Sequence, residues 1–233
     1  GLVTGSPLIP NGLPVTFDRV ETLIPPIDSR LISGDNLAAM MFAEIRTERL
    51  VLRDLEVGDA SRIFGYRSHP DVSRFQSWGT RSADDIEAYI GEPSEREPGR
   101  PGSWYQIGII LVPGRELIAD CGFQVLETEP RHVEIGVALA PEFQGLGYAT
   151  ETLQALLDYL LLSLGKDRVF GSVDPRNVRS MRLLQRVGMR KEAHRVKGLW
   201  FKGEWVDDVI FAITASEWKS RNTENSMSNR RTD

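Results

Sequence analysis

Cysteine is almost missing from this chain: Cys121 stands alone among 233 residues, which excludes an internal disulfide and any site built on several thiolates. Histidine is scarce as well. His69, His132 and His194 fall in separate segments with no two at ligand spacing on one helix, so no metal site is expected. Positive charge is not in excess: 28 Lys and Arg against 33 Asp and Glu leave a net −5, a poor basis for the phosphate neutralisation of sequence-independent nucleic-acid binding. Long apolar runs are missing too. The longest, 107–112 and 155–164, fall far short of the ~20 residues that span a bilayer, and Asp158 breaks the second, so no membrane association is expected. Near the start, Gly5, Pro10, Asn11 and Asp18 interrupt any apolar stretch and no basic segment precedes one, so secretion has no support and the cytoplasm is the expected compartment. What is present is an ordinary globular composition, 41% hydrophobic and 26% charged, at a length suited to one large domain or a domain with tails.

Residues 1–40 show neither helical nor strand periodicity and are punctuated by Pro7, Pro10, Pro14, Pro25 and Pro26, which predicts an irregular extension. Met40 and Met41 directly precede the first strand pattern, and the folding unit is expected to begin near Met41 and to run over 41–218. The polar residues 219–233 read as a solvated tail, with polarity rising already from Ser216. Between these limits the elements alternate. Strand patterns at 45–53, 104–112, 117–127, 133–140 and 168–173 are joined by helical patterns at 59–67, 82–90, 148–164 and 177–187, and 190–214 reads as a closing hairpin turning at Lys202-Gly203. Asp59 reads as an N-cap, Pro70-Asp71 as a turn, and 92–102 as a loop. One strand–helix–strand crossover within mostly antiparallel pairing predicts an α/β (α+β) domain with a mixed sheet.

The segment that carries chemistry is 137–150, VALAPEFQGLGYAT. A loop holding Gly145 and Gly147 can aim successive backbone N–H groups into one concavity, and the following helix adds its unpaired first donors and positive dipole end. Such a cradle suits a pyrophosphate. Gln144 adds a side-chain amide, and Ala149 lets the helix approach closely. Two glycines can also be plain turn residues. A dinucleotide-binding loop fits less well, because Thr150 replaces the third glycine and an antiparallel hairpin follows instead of more crossovers. A nucleoside-triphosphate loop lacks its Gly-Lys-Ser/Thr.

Gln144-Gly145-x-Gly147-x-Ala149, between a strand ending Val137-x-Leu139 and a long helix, resembles the acetyl-CoA loop of the GNAT (GCN5-related) N-acetyltransferases. A second match, Asn177-x-x-Ser180, opens the next helix about 30 residues later, and Gly188 closes it. The run Thr47-Glu48-Arg49-Leu50-Val51-Leu52-Arg53 and the closing run from Gly203 to Trp218 are similar to the RimJ/RimL branch, the ribosomal-protein N-terminal acetyltransferases. The resemblance spans 44–218 and implies a GNAT-type twisted, mostly antiparallel sheet with helices on both faces.

It also implies acetyl-CoA as co-substrate and direct attack of an amine on the thioester in a ternary complex. The acceptor implied first is a protein N-terminal α-amine, with an aminoglycoside or other small amine as the alternative. Val137, Ala138 and Leu139 then pair with the pantetheine arm like an added strand, and a backbone N–H near Leu139 serves as oxyanion donor. Gln144, Gly145, Leu146, Gly147, Tyr148, Ala149 and Thr150 form the pyrophosphate cradle, and Asn177 and Ser180 flank the arm. Glu134 is the candidate general base, through water, and otherwise an ordinary strand carboxylate. Many GNAT enzymes place an acid Tyr seven residues after the Asn; here that position is Leu184, so the acid role passes to Ser180, whose plain reading is helix capping. The departure keeps a non-catalytic acyl-CoA-binding module open. Arg74, Phe75 and Trp78 lie where the family walls its acceptor site. Cys121, Trp104, Trp200 and Trp205 read as core, His132 and His194 as surface, and the chain as a monomer or homodimer.

Overall fold

Alternation of side chains along the strands decides how the layers assemble. The computed structural model describes residues 42, 44–76, 82–91 and 97–229. Its strands are β1 (Ile45–Arg46), β2 (Leu50–Asp54), β3 (Trp104–Leu111), β4 (Glu116–Val125), β5 (His132–Leu139), β6 (Arg168–Val173), β7 (Arg190–Phe201) and β8 (Glu204–Thr214). They form one sheet in the order β1-β2-β3-β4-β5-β6-β8-β7. Every pairing among the described strands is antiparallel except β5 with β6, two neighbours joined by a helix that crosses over the sheet.

In register across the sheet, Leu52, Ile109, Ala119 and Leu139 stand on one face, with Phe123, Ile135 and Phe211 deep in the same cluster. Against them pack α4 (Tyr148–Asp158) and α5 (Val178–Arg186) through Leu153, Leu156 and Leu184, and α6 (Ala215–Asn229) through Trp218. The alternate residues Ile110, Leu117 and Ala138 face α1 (Ala60–Arg67), α2 (Pro70–Ser73) and α3 (Ala83–Gly91), which contribute Ile63, Val72 and Ile86. The expected mixed sheet with helices on both faces is therefore what forms.

Several local expectations change. The strand read over 45–53 is split, because Thr47–Arg49 leaves the ladder to reach α4. Asp59 stands at the N-cap position of α1, as read, but its side chain makes no capping hydrogen bond there; it ends a 3-10 turn, accepts from the Glu56 N–H at 2.8 Å and pairs with Arg53. The Pro70-Asp71 turn is the short helix α2, capped by His69 Nδ1, which accepts from the Asp71 N–H at 3.3 Å. Ser82 and Asp85 cap α3 reciprocally, each side-chain oxygen taking the other's backbone N–H. The helix read over 148–164 widens into a π turn over Tyr159–Ser163.

The largest difference lies at the C-terminal end, where the predicted solvated tail is the helix α6. Trp218 is buried there and donates to Asp158 Oδ1 at 2.8 Å. Trp104 is half-buried and outside the core clusters of the described residues, and Trp205 and Trp200 are not core either. They pack edge to face at 5.5 Å across the β7–β8 hairpin, and Trp205 is 57% exposed, because its place beside the Lys202-Gly203 turn lies past the covering helices. Cys121 is fully buried, as read, and burial, with the neighbouring Asp120 charge adding to it, pushes its thiol well above the ordinary range. Of the loop read over 92–102, residues 92–96 lie outside the described residues, as do 1–41.

Candidate active site

The site begins where two strands part. The parallel ladder between β5 and β6 holds only His132↔Arg168, Val133↔Val169 and Glu134↔Phe170. Beyond Glu134, β5 continues to Leu139 against β4 alone among its described neighbours. Ala140 donates to Ile118 of β4 at 3.0 Å, so by alternation the N–H groups of Leu139 and Val137 point away from β4, into the fork. Leu139 O is already taken by Gln144 Nε2 at 3.1 Å.

Past Leu139 the chain makes a 3-10 turn over Pro141–Phe143 and enters the glycine loop. Gly145 and Gly147 have φ of 81° and 88°, the left-handed region that a side chain disfavours. Two such residues turn the loop back under the N-terminus of α4. There the N–H groups of Tyr148 and Ala149 precede any intrahelical acceptor, while Thr150 and Glu151 already donate to Gly147 O at 3.0 and 3.1 Å. A cleft of about 1470 Å³ opens over this cradle. Val137 and Leu139 line it with Gln144, Gly145, Gly147, Tyr148, Ala149 and Thr150, and Asn177 and Ser180 form its far wall. The structure therefore brings together ten of the expected cofactor-binding residues.

Two depart from the cleft. Ala138 turns to the opposite face and packs under α1–α3, as strand alternation requires. Leu146 points outward and is 53% exposed; only its carbonyl is used. Asn177 caps α5, its Oδ1 accepting from the Ser180 N–H at 3.2 Å. Ser180 is buried in the first turn, and Leu184 points into the core. Arg74 and Phe75 line the same cleft together with Asp71, whereas Trp78 lies outside the described residues.

Glu134 does not line the open cleft. It is buried at the fork itself, and burial, reinforced by the charge of nearby Asp208, pushes its carboxyl up to about 8. Asp208 is buried too and accepts from Ser172 Oγ at 2.6 Å.

Two groups of functional residues escaped the reading of the sequence. The first holds the loop from behind. Arg49 reaches Leu146 O at 3.1 Å and Glu151 Oε2 at 2.7 Å, and lies over the Tyr148 ring at 4.5 Å. Thr47 Oγ1 and the Arg49 N–H also donate to Glu151 Oε1, at 2.6 and 3.0 Å. Burial alone would raise the Glu151 carboxyl, but these hydrogen bonds hold it below its ordinary value. The second group is a rim of arginines, Arg176, Arg179, Arg182 and Arg186, on and before α5. The recurrence of Arg179, Arg182 and Arg186 along one helix was the available signal: a locally positive edge in an acidic chain. It faces phosphate-sized space, with Arg179 held by Gln144 Oε1 at 3.2 Å.

The forked strands, the left-handed glycine loop and the Asn-capped second helix thus surround one cleft. Comparison with known proteins gives the family. The model of the GNAT acetyltransferase domain matches residues 49–190. An uncharacterised N-acetyltransferase, p20 of Bacillus licheniformis, is 31% identical over 74% of this chain and 96% of its own length. The ribosomal protein uS5-alanine N-acetyltransferase of Escherichia coli is 27% identical, covering 75% of this chain and 92% of that enzyme. A GNAT-family acetyltransferase from Bacillus anthracis superposes with a TM-score of 0.66 at 26% identity, over 75% and 99% of the two chains. The chain belongs to the GNAT acetyltransferase family and is an acetyl-CoA-dependent N-acetyltransferase.

Proposed function

We propose that this protein acetylates the α-amine of a protein N-terminus, with Glu134 as general base through water and Ser180 as the group that protonates the departing sulfur. The observation that carries this reading is the fork. It sets outward-facing backbone donors of Val137 and Leu139 beside a buried carboxyl and leads directly into the phosphate cradle. Acetyl-CoA supplies the activated acetyl group. For their part, the loop amides and the arginine rim hold its phosphates, the Val137 and Leu139 amides fix the arm, and the Leu139 N–H is placed to stabilise oxyanion charge. A base with a pKa near 8 is matched to drawing a proton from an ammonium at neutral to mildly alkaline pH. Asp71 at the acceptor end favours a cationic acceptor, and the uS5-modifying relative supports an N-terminal one.

The first test is thermal unfolding with millimolar acetyl-CoA, with NAD as the control. Ligand at ~100 times its dissociation constant adds about 2.7 kcal/mol, a clear rise in Tm. Stabilisation by NAD instead would overturn the reading of the loop. Acetyl transfer to peptides with varied N-termini, compared with spermidine and an aminoglycoside, then tests the acceptor, and turnover of the small amines alone would overturn the N-terminal assignment.

A further inference from the structure

Acetylating an ammonium leaves one proton to dispose of. The N–C bond forms, the C–S bond breaks with its electron pair going to sulfur, and sulfur takes one proton. Of the ammonium's other two, one stays on the amide and one must reach solvent. The base assigned to that last proton, Glu134, is buried at the fork, so the proton needs a way out.

The sheet register supplies one. Glu134 pairs with Phe170, and Phe170 with Ala212, while Ser172 pairs with Ile210. Residues at these positions and their alternates share a face, so Glu134 on β5, Ser172 on β6 and Asp208 on β8 all project from the same side of the sheet. Asp208 pairs in turn with Arg195 of β7, whose guanidinium lies 3.9 Å from Asp208 Oδ2 and is 59% exposed. The charged groups turned toward Asp208 are thus Glu134 on one side and Arg195 on the other, with the Ser172 hydroxyl fixing Oδ1 between them. These side chains lie on a diagonal from the buried fork to the outer strand, with contacts from Ser172 outward at 2.6 and 3.9 Å, and the step from Glu134 to Ser172 is given by their shared face alone.

We propose that Asp208 is a positioning residue for the reaction: a second carboxylate, oriented by Ser172, that passes the proton released by Glu134 outward toward the Arg195 side of the sheet. The proposal rests on Glu134 being the base. The same placement lets Asp208 set the basicity of Glu134, because its negative charge opposes ionisation of its neighbour.

Asp208→Asn tests both consequences in the full-length protein. Its kcat is expected to fall about tenfold with the KM for acetyl-CoA unchanged, and the acid limb of the kcat/KM profile should move to lower pH. Asp208→Glu is expected to restore part of kcat, and added formate or imidazole to raise the turnover of Asp208→Asn but not of wild type. An unmoved acid limb with no rescue would show that Asp208 only ties β6 to β8, and would overturn the proposal. Should Asp208→Asn fail to fold, Ser172→Ala is expected to shift the same limb, and an unchanged limb there is equally fatal. Titration of the Glu134 carboxyl by carbon-detected NMR needs no turnover, so it separates the two levels. An unchanged kcat in Glu134→Gln sinks the base assignment, whereas a Glu134 titration insensitive to Asp208→Asn sinks the coupling alone.

Discussion

Glu134 is held between two demands that conflict in folding and, with Glu134 as the proposed base, agree in catalysis. Burial beside another carboxylate disfavours its charged form, which costs stability at high pH but leaves a stronger base when a proton must be taken. Its folded pKa of about 8 lies above the ordinary 4.5, so its contribution to stability is fully present below about 4.5 and is lost as pH rises through 8. Replacing Glu134 with Gln should therefore remove a stability loss of a few kcal/mol between those pH values, read as a flatter Tm against pH, while lowering kcat by 10²-fold or more. Arg49 gives a second prediction at this scale. Because it props the carbonyl of Leu146 and the first turn of α4, Arg49→Ala should raise the KM for acetyl-CoA roughly tenfold, about 1.4 kcal/mol, with a smaller effect on kcat. The cradle was legible in the sequence because Gly145, Gly147 and Asn177 act within a few residues of themselves. Arg49 and Glu151 meet only after some hundred intervening residues have folded, and Asp208 comes near enough for its charge to act on Glu134 only after more than seventy, and no local spacing announces such a pair.

Among the elements, α6 shows how tertiary contact overrides composition. Its sequence is polar almost throughout, so periodicity gives no inward face, yet one residue anchors it: Trp218 closes the cluster formed by the strands and α4. Trp218→Ala should cost about 3–5 kcal/mol, measured by denaturant unfolding. Its neighbour Arg221 lies against Gly188, where φ is 98° and a Cβ would collide with the guanidinium, and donates to Arg186 O at 3.1 Å at the end of α5. Gly188→Ala should therefore destabilise by more than a kilocalorie per mole through both strain and displacement of Arg221. Two of the three tryptophans misread as core, Trp200 and Trp205, make the converse point: aromatic residues in a strand state that they will pack, but not whether a helix will come to cover them.

At the level of the molecule, the mixed sheet and its one parallel pair follow from the pattern of strands and helices in the sequence, the helices on both faces were implied by the family resemblance, and the strand order is a matter of the long-range pairings. The N-terminal boundary is a separate matter. Phe42 packs in the main core against Tyr105 and Tyr159, so a chain beginning at Met41 is proposed to keep the Tm of the full chain within a few degrees, whereas one beginning at Glu44 should lose stability.

The brevity of the β5–β6 ladder also matters beyond catalysis. With three residue pairs joining them, β1–β5 and β6–β8–β7 are two leaves hinged at one end, each with its own backbone ladders. With its arm in the gap, as proposed, the co-substrate would complete the weave between the leaves, structural mortar as well as reagent. Amide exchange should register this directly, with the N–H groups of Val137 and Leu139 gaining protection on binding and the two leaves opening together afterwards, where before they opened apart.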